Sequence, residues 1–314
     1  MKNALPTSDS PANRSSRIAA LGYDYAGQPK REAARCNLCG GNHLVIVAHR
    51  DRYGYPAEAR GCLTCGLVFI DPVLTEDAYA HFYRGVYRPL VSAYHGRLID
   101  AQSIQNEQQV YAAERGDVLA PFVYERGYQT MLDIGGSTGV VAHAWASRFG
   151  LTATVIDPAP LEIAEAHKLG LETVTGFIER YQPGSRSFDV VALNQTVDHL
   201  LDIAASLAAI RRVIAQTGLF VVDIVDFRAA YLRNWSVEEA IKIDHPFYLT
   251  DDTMRAYLRR AGFDVLRTDF AADHLHIGYV CAPAAPTVIA LPSVEAVSAF
   301  FRELRFVHNA PATR

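Results

Sequence analysis

Met131-Leu132-Asp133-Ile134-Gly135-Gly136-Ser137-Thr138-Gly139 decides how this chain is read. A strand-like run enters a glycine-rich turn, and the turn enters a helical stretch from Val140 to Arg148. Gly135, Gly136 and Gly139 let a backbone approach a ligand with no Cβ in the way, and the helix N-terminus offers unpaired N–H groups. The next apolar run, Ala153–Asp157, ends in an acid 24 residues after Asp133. A carboxylate at the end of a second strand accepts both hydroxyls of a ribose, so the spacing points to a nucleoside ligand. A tight turn without ligand and a dinucleotide site are the competing readings. Asp133, just ahead of the glycines, would repel a pyrophosphate and suits a cationic ligand.

Outward from this unit, strand-length apolar runs alternate with amphipathic stretches of helical length. The runs are Thr130–Asp133, Ala153–Asp157, Glu172–Thr175, Asp189–Leu193, Leu219–Ile224, Asp264–Thr268 and Ile277–Cys281. The alternation predicts an α/β fold, a mostly parallel seven-stranded sheet with helices on both faces, in which the last two runs pair antiparallel. Across 314 residues, 50% hydrophobic and 20% charged content excludes a disordered or low-complexity chain. A net charge of −4 gives no global basic field and argues against nucleic acid or anionic membrane as partner. No apolar run approaches the roughly 18 to 20 residues of a membrane span. Residues 1–30, with Pro6, Pro11 and Pro29 and no signal-peptide core, read as a flexible cytoplasmic leader.

Four of the five cysteines form two knuckles, Cys36-x2-Cys39 and Cys62-x2-Cys65, separated by 22 residues. Four soft thiolates in tetrahedral reach of one Zn²⁺ leave no open coordination position, so the expected metal is a structural zinc that makes the fold. Redox cysteines are the alternative. His43 and His49, between the pairs, read as exposed loop residues. The organisation expected is a leader (1–30), a zinc-ribbon module (31–75), and a helical connector (76–127) rich in tyrosine. The sheet domain (128–283) and a tail (284–314) with an amphipathic helix from Ser293 to Arg305 follow.

The sheet region resembles class I S-adenosylmethionine-dependent methyltransferases over roughly Tyr128 to Cys281. Asp133 to Gly139 is similar to that family's DxGxGxG loop, with Gly136 and Ser137 standing where many members have cysteine or serine and then glycine. The resemblance makes Asp157 the ribose-binding acid and places Gly176 and Phe177 at the adenine pocket. Phe188 to Gln195 resembles the fourth strand, whose end, Asn194 and Gln195, faces the methionine moiety. Asp198-His199 resembles the acid-His pair that follows it, whereas Gln216-Thr217 replace the usual Pro-Gly neighbourhood. The implied strand order is 3-2-1-4-5-7-6 with the seventh antiparallel, and the implied cofactor is S-adenosylmethionine.

A zinc ribbon ahead of such a core is similar to the sugar C-methyltransferases of deoxysugar pathways and their relatives in polysaccharide gene clusters. Cys62 to Phe69, then Phe82-Tyr83-x3-Tyr87, resemble their second knuckle and tyrosine-bearing segment. Asp244-His245-Pro246-Phe247-Tyr248 stands where they carry a Glu-His pair and a tyrosine. Lys242 replaces a further tyrosine, and the sequence ends without their long C-terminal domain.

Methyl transfer needs an acceptor held about 3 Å from the sulfonium methyl, and the acceptor must lose a proton. His245, oriented by Asp244, is the candidate general base, with His199 in competition. Phe247 and Tyr248 read as a lid over the cofactor. The expected activity is methyl transfer to a nucleotide-linked sugar or glycan precursor. An RNA methyltransferase gripping RNA through Arg31, Arg35, Arg50, Arg52 and Arg60, and a non-catalytic adaptor, are the alternatives.

Overall fold

A computed structural model describes residues 11–100 and 102–309. In chain order it begins with α1 (Pro11–Ala19), β1 (Lys30–Arg31), β2 (Leu44–Ala48), β3 (Ala59–Cys62), β4 (Val68–Ile70) and β5 (Val73–Leu74). Three helices follow: α2 (Glu76–Gly85), α3 (Tyr87–His95) and α4 (Gln105–Tyr124). The alternating region then runs β6 (Thr130–Ile134), α5 (Val140–Phe149), β7 (Thr152–Asp157), α6 (Pro160–Lys168), β8 (Glu172–Thr175), β9 (Phe188–Leu193), α7 (Ile203–Val213) and β10 (Ile214–Val225). The remainder is α8 (Phe227–Asn234), β11 (Phe247–Tyr248), α9 (Asp251–Ala261), β12 (Phe263–Phe270), β13 (His276–Pro283) and α10 (Val294–Asn309).

Local chemistry sets these boundaries. The side chains of Thr75, Asp202, Asp226 and Thr250 accept backbone N–H groups at the starts of α2, α7, α8 and α9. Gly150 and Gly262, both left-handed, end α5 and α9. The apolar runs assemble into one sheet in the order β12-β13-β10-β9-β6-β7-β8. Counted along the chain, that order is 3-2-1-4-5-7-6. Only β13 is antiparallel to its neighbours.

Alternation along the strands divides the core between the two faces. Met131, Val155 and Val190 pack with Trp145 of α5 and Leu119 of α4 on one face. Leu132, Ile156 and Val191 pack with Ile210 of α7 and Leu258 of α9 on the other. This second core also contains Cys36, Leu38, Cys62, Cys65 and Leu67, so the cysteine segment is continuous with the sheet domain rather than separately packed.

The front segment is tied in further by hydrogen bonding. A second sheet has the order β11-β4-β3-β2. Its outer strand β11 comes from beyond residue 240 and pairs Phe247 with Phe69 and Tyr248 with Val68. The unpaired edge of β4 is the physical reason: an exposed ladder recruits a partner. Phe247 and Tyr248 are therefore sheet residues and not a lid over the cofactor. The sheet of segment 31–75 is thus completed from elsewhere in the chain.

The leader also differs from expectation. Residues 1–10 lie outside the described residues, but 11–30 are folded. Ile18 and Tyr25 are buried in a core shared with Phe82, Leu90 and Tyr248. Arg17 Nε donates to the carbonyl of Ala93 at 2.7 Å, and the Lys30 ammonium lies 4.3 Å from the Tyr25 ring centroid. Two apolar anchors were hidden in a polar, proline-marked composition. Helix α10 closes the same core with Val297, Phe301 and Leu304.

Candidate functional site

Between β6 and β9 the order of connection reverses, leaving a crevice at the carboxyl ends of the strands. There lies a cleft of about 740 Å³, lined by Gly135, Ser137, Asp157, Gly176, Phe177, Asn194, Gln195 and His199 among others. Gly135 has φ +66°, and a Cβ there would sit 2.4 Å from Cγ2 of Thr196, so the turn requires glycine. Gly139, with φ +76°, caps α5. Asp133, Gly136 and Gly139 shape the turn without lining the cleft.

Asp157 ends β7 and reaches across the turn. Its Oδ2 accepts the N–H of Ser137 at 3.0 Å and its Oδ1 that of Ala159 at 2.8 Å. Each oxygen retains a lone pair for a diol. Burial raises its carboxyl to about 6 despite these bonds. Asp133 is 1% exposed, and neither of its oxygens has a hydrogen-bond partner. Burial, reinforced by Asp157, pushes its carboxyl up to about 8. An unsatisfied buried carboxyl close to a second acid, Asp157, fits a ligand that carries positive charge, as S-adenosylmethionine does.

The connector helices roof this cleft. The Tyr111 hydroxyl donates to Oδ1 of Asn194 at 3.1 Å, Thr138 Oγ1 donates to Gln108 at 3.0 Å, and Arg88 pairs with Glu162 at 3.2 Å. Tyr79, Tyr83 and Tyr87 all line it. Sequence reasoning passed over Gln108, Tyr111, Arg88 and Glu162. For Tyr79 and Tyr83 a signal existed, since spacing of four places them on one face of α2.

At the far end two histidines meet, with ring centroids 4.2 Å apart. Their acids are crossed: Asp198 bonds not its neighbour His199 but Nδ1 of His245, at 2.6 Å. Nε2 of His245 lies 3.4 Å from Oδ2 of Asp244 and 3.4 Å from the Lys242 ammonium. His199 lines the cleft, whereas His245 lies behind it and does not. Nδ1 of His199 is 2.9 Å from the Asp244 carbonyl and 2.5 Å from the Tyr83 hydroxyl. The Asp244 carbonyl only accepts, so the tautomer that serves it carries the hydrogen on Nδ1 and leaves the Nε2 lone pair free.

Charge in this cluster follows its burial. Burial and the neighbouring His245 lower His199 to about 4, which keeps its ring neutral at neutral pH. Burial alone would raise Asp198 and Asp244, but His245, His199 and Lys242 outweigh it and hold both carboxyls below their ordinary range. Tyr79 and Tyr83 are raised by burial and remain phenols.

The cysteines converge as well. All four Sγ atoms lie within 4.8 Å of one another. Cys36 is 3.6 Å from Cys65 and Cys39 is 3.5 Å from Cys62, and none forms a disulfide. Tetrahedral zinc with Zn–S near 2.3 Å requires sulfur separations of about 3.8 Å, so the donor set suits that ion. The first knuckle is anchored to the sheet domain through Asn37, which donates to Asp202 at 2.7 Å and accepts from Tyr257 at 2.8 Å. His43 and His49 are exposed.

Each arginine of this region has a contact within the protein. Arg60 pairs with Glu58 and Asp71, and Arg52 stacks on Tyr94. Arg31, Arg35 and Arg50 donate to the carbonyls of Leu201, Gly40 and Gly54. Among the described residues no helix is long and apolar enough to cross a membrane.

Comparison with known proteins agrees with this geometry. Residues 79–268 match the family model described as "Methyltransferase domain". The chain is similar to "Ubiquinone biosynthesis O-methyltransferase" of Cereibacter sphaeroides (strain KD131 / KCTC 12085), 28% identical over 171 residues, covering 50% of this chain and 68% of that one. The protein of the same name in Rhodopseudomonas palustris (strain TIE-1) is 30% identical over 111 residues, covering 33% and 41%. Among solved structures, DesVI of Streptomyces venezuelae overlays 59% of this chain and 99% of its own, with a TM-score of 0.49 and 16% identity. That overlay is too loose to carry a conclusion about substrate.

Proposed function

Given that the chain belongs to the methyltransferase-domain family and is an S-adenosylmethionine-dependent methyltransferase, we propose that its acceptor is a sugar, nucleotide-linked or a glycan precursor. In this reading His199 is the base. When bound, S-adenosylmethionine supplies an electrophilic methyl group. Asp157 grips the ribose, Asp133 lies on the side of positive charge, and Asn194 and Gln195 line the methionine end. His199 takes the acceptor's proton at Nε2, because its Nδ1 hydrogen is held by the Asp244 carbonyl. His245, anchored by Asp198, supports the His199 ring from behind and does not itself meet the acceptor.

Cys36, Cys39, Cys62 and Cys65 would hold a zinc that has no part in the chemistry. Its work is mechanical: it fixes β3 and β4, and β4 carries β11 beside the Asp244-His245 pair. The observation that carries the proposal is this pairing of β11 with β4, which brings together the two segments, Cys62–Phe69 and Asp244–Tyr248, that carry the resemblance to sugar methyltransferases. Domain limits follow from it, with 31–75 and 128–283 acting as one unit.

The test is a mass-spectrometric screen for addition of one methyl group across nucleotide sugars, phenols and RNA, with S-adenosylmethionine as donor. Methylation of a nucleotide sugar is expected. Product only from phenols or RNA would overturn the sugar reading.

A further inference from the structure

Across the histidine pair from the cofactor cleft lies a second cavity of about 310 Å³, and its wall carries three cations, Arg52, Lys242 and Arg233. Among the described residues none of the three has a carboxylate within ion-pair distance. The Lys242 ammonium meets only Nε2 of His245, at 3.4 Å. Arg52 lies on the Tyr94 ring, and its buried Nε has no hydrogen-bond partner. Arg233 gives one Nη to the Asp273 carbonyl and is otherwise exposed.

Two acids share the wall, and both are engaged. Asp198 is bound to His245 at 2.6 Å, and Glu239 receives the Tyr94 hydroxyl at 3.1 Å. The cationic field reaches beyond the cavity: burial lowers His95, and Arg52, Arg97, Lys242 and Arg14 lower it further. In a chain of net charge −4 this is a local concentration, and half-buried cations such as Arg52 and Lys242 are kept where an opposite charge completes them.

We propose that this cavity is an anion-binding site for a phosphate or carboxylate group, held by Arg52, Lys242 and Arg233. Arginine and lysine together supply a planar fork and a point charge, the combination that grips such oxygens. The site stands apart from the identity of the methyl acceptor. Its occupant is an anionic arm of that acceptor or a free anion, and the two sources share the same chemistry.

Thermal unfolding of the full chain with inorganic phosphate, at constant ionic strength, tests the site. The wild type is expected to show a saturable rise in melting temperature. Lys242→Met and Arg233→Gln should each weaken the apparent affinity by about tenfold or more. General salt stabilisation acts alike on all three proteins, so an equal response, or none in the wild type, would overturn the proposal. Arg233 is exposed, so its variant folds, and retained S-adenosylmethionine binding checks Lys242→Met. Repeating the titration with glucose 1-phosphate separates the sources: much tighter binding than inorganic phosphate assigns the site to the acceptor, and equal binding assigns it to a free anion.

Discussion

The cofactor end of the cleft comes from one continuous stretch, Met131 to Asp157, whereas the histidine end is gathered from Tyr83, His199 and the Asp244-His245 pair, more than 150 residues apart in sequence. At the first end, geometry is local: a glycine turn, a helix start and the tip of the next strand. At the second it is borrowed, since the Asp244 segment is held by β11 pairing with β4 of the cysteine region. The contrast teaches that the two ends should fail separately. Damage to the cysteine region should reach the base before it reaches the cofactor.

Removal of the zinc proposed at the four cysteines, by chelation or by Cys62→Ser, should have the largest effect. Cys62 is fully buried in the core shared with the sheet. Its variant should melt at least ~5 °C lower and lose most turnover. In the surviving folded fraction, affinity for S-adenosylmethionine should change much less, as calorimetric titration would show. Equal loss of both would erase the distinction between the ends.

Asp157→Ala strikes the other end. It removes the carboxylate proposed to hold two ribose hydroxyls, and charge-assisted bonds are each worth about 1.5–3 kcal/mol. The dissociation constant of S-adenosylmethionine should rise at least ~10-fold, while the rate at saturating cofactor falls far less. Titration and steady-state kinetics together check this split.

The smallest effect is a pH dependence of stability confined to the cofactor end. Asp133 is raised from an ordinary carboxyl to about 8, so the folded state binds its proton more tightly than the unfolded state does. Its contribution is fully present below about 4 and is lost as pH rises through 8. Without cofactor, the wild type should therefore lose melting temperature between pH 6 and 9 relative to Asp133→Asn. Bound S-adenosylmethionine, by favouring the carboxylate, should narrow that gap.

What sequence alone disclosed divides along the same line. The glycine turn, Asp157 and the seven runs were legible because each signal lies within a few residues and has a fixed period or spacing. The cysteine pairs were legible for the same reason. Ile18 and Tyr25 were not, because two buried anchors barely alter the composition of a polar segment. Nor was β11, a two-residue strand whose only cause is the open edge of β4. The pairing of the two histidines was not legible either. Asp244 and His245 are adjacent in sequence, which suggested an acid orienting its own neighbour, yet the folded chain gives His245 to Asp198 and turns His199 to the cleft. Adjacency along a loop does not say which ring faces the ligand.

Single-turnover methyl transfer by His199→Asn and His245→Asn, measured beside the wild type with the acceptor found in the screen, tests the central claim most directly. Loss of a general base lowers the rate by about 10²–10⁴, so His199→Asn should fall by at least ~100-fold with cofactor affinity unchanged, and His245→Asn by clearly less. A His199→Asn enzyme near the wild-type rate, with His245→Asn carrying the larger loss, would contradict the account.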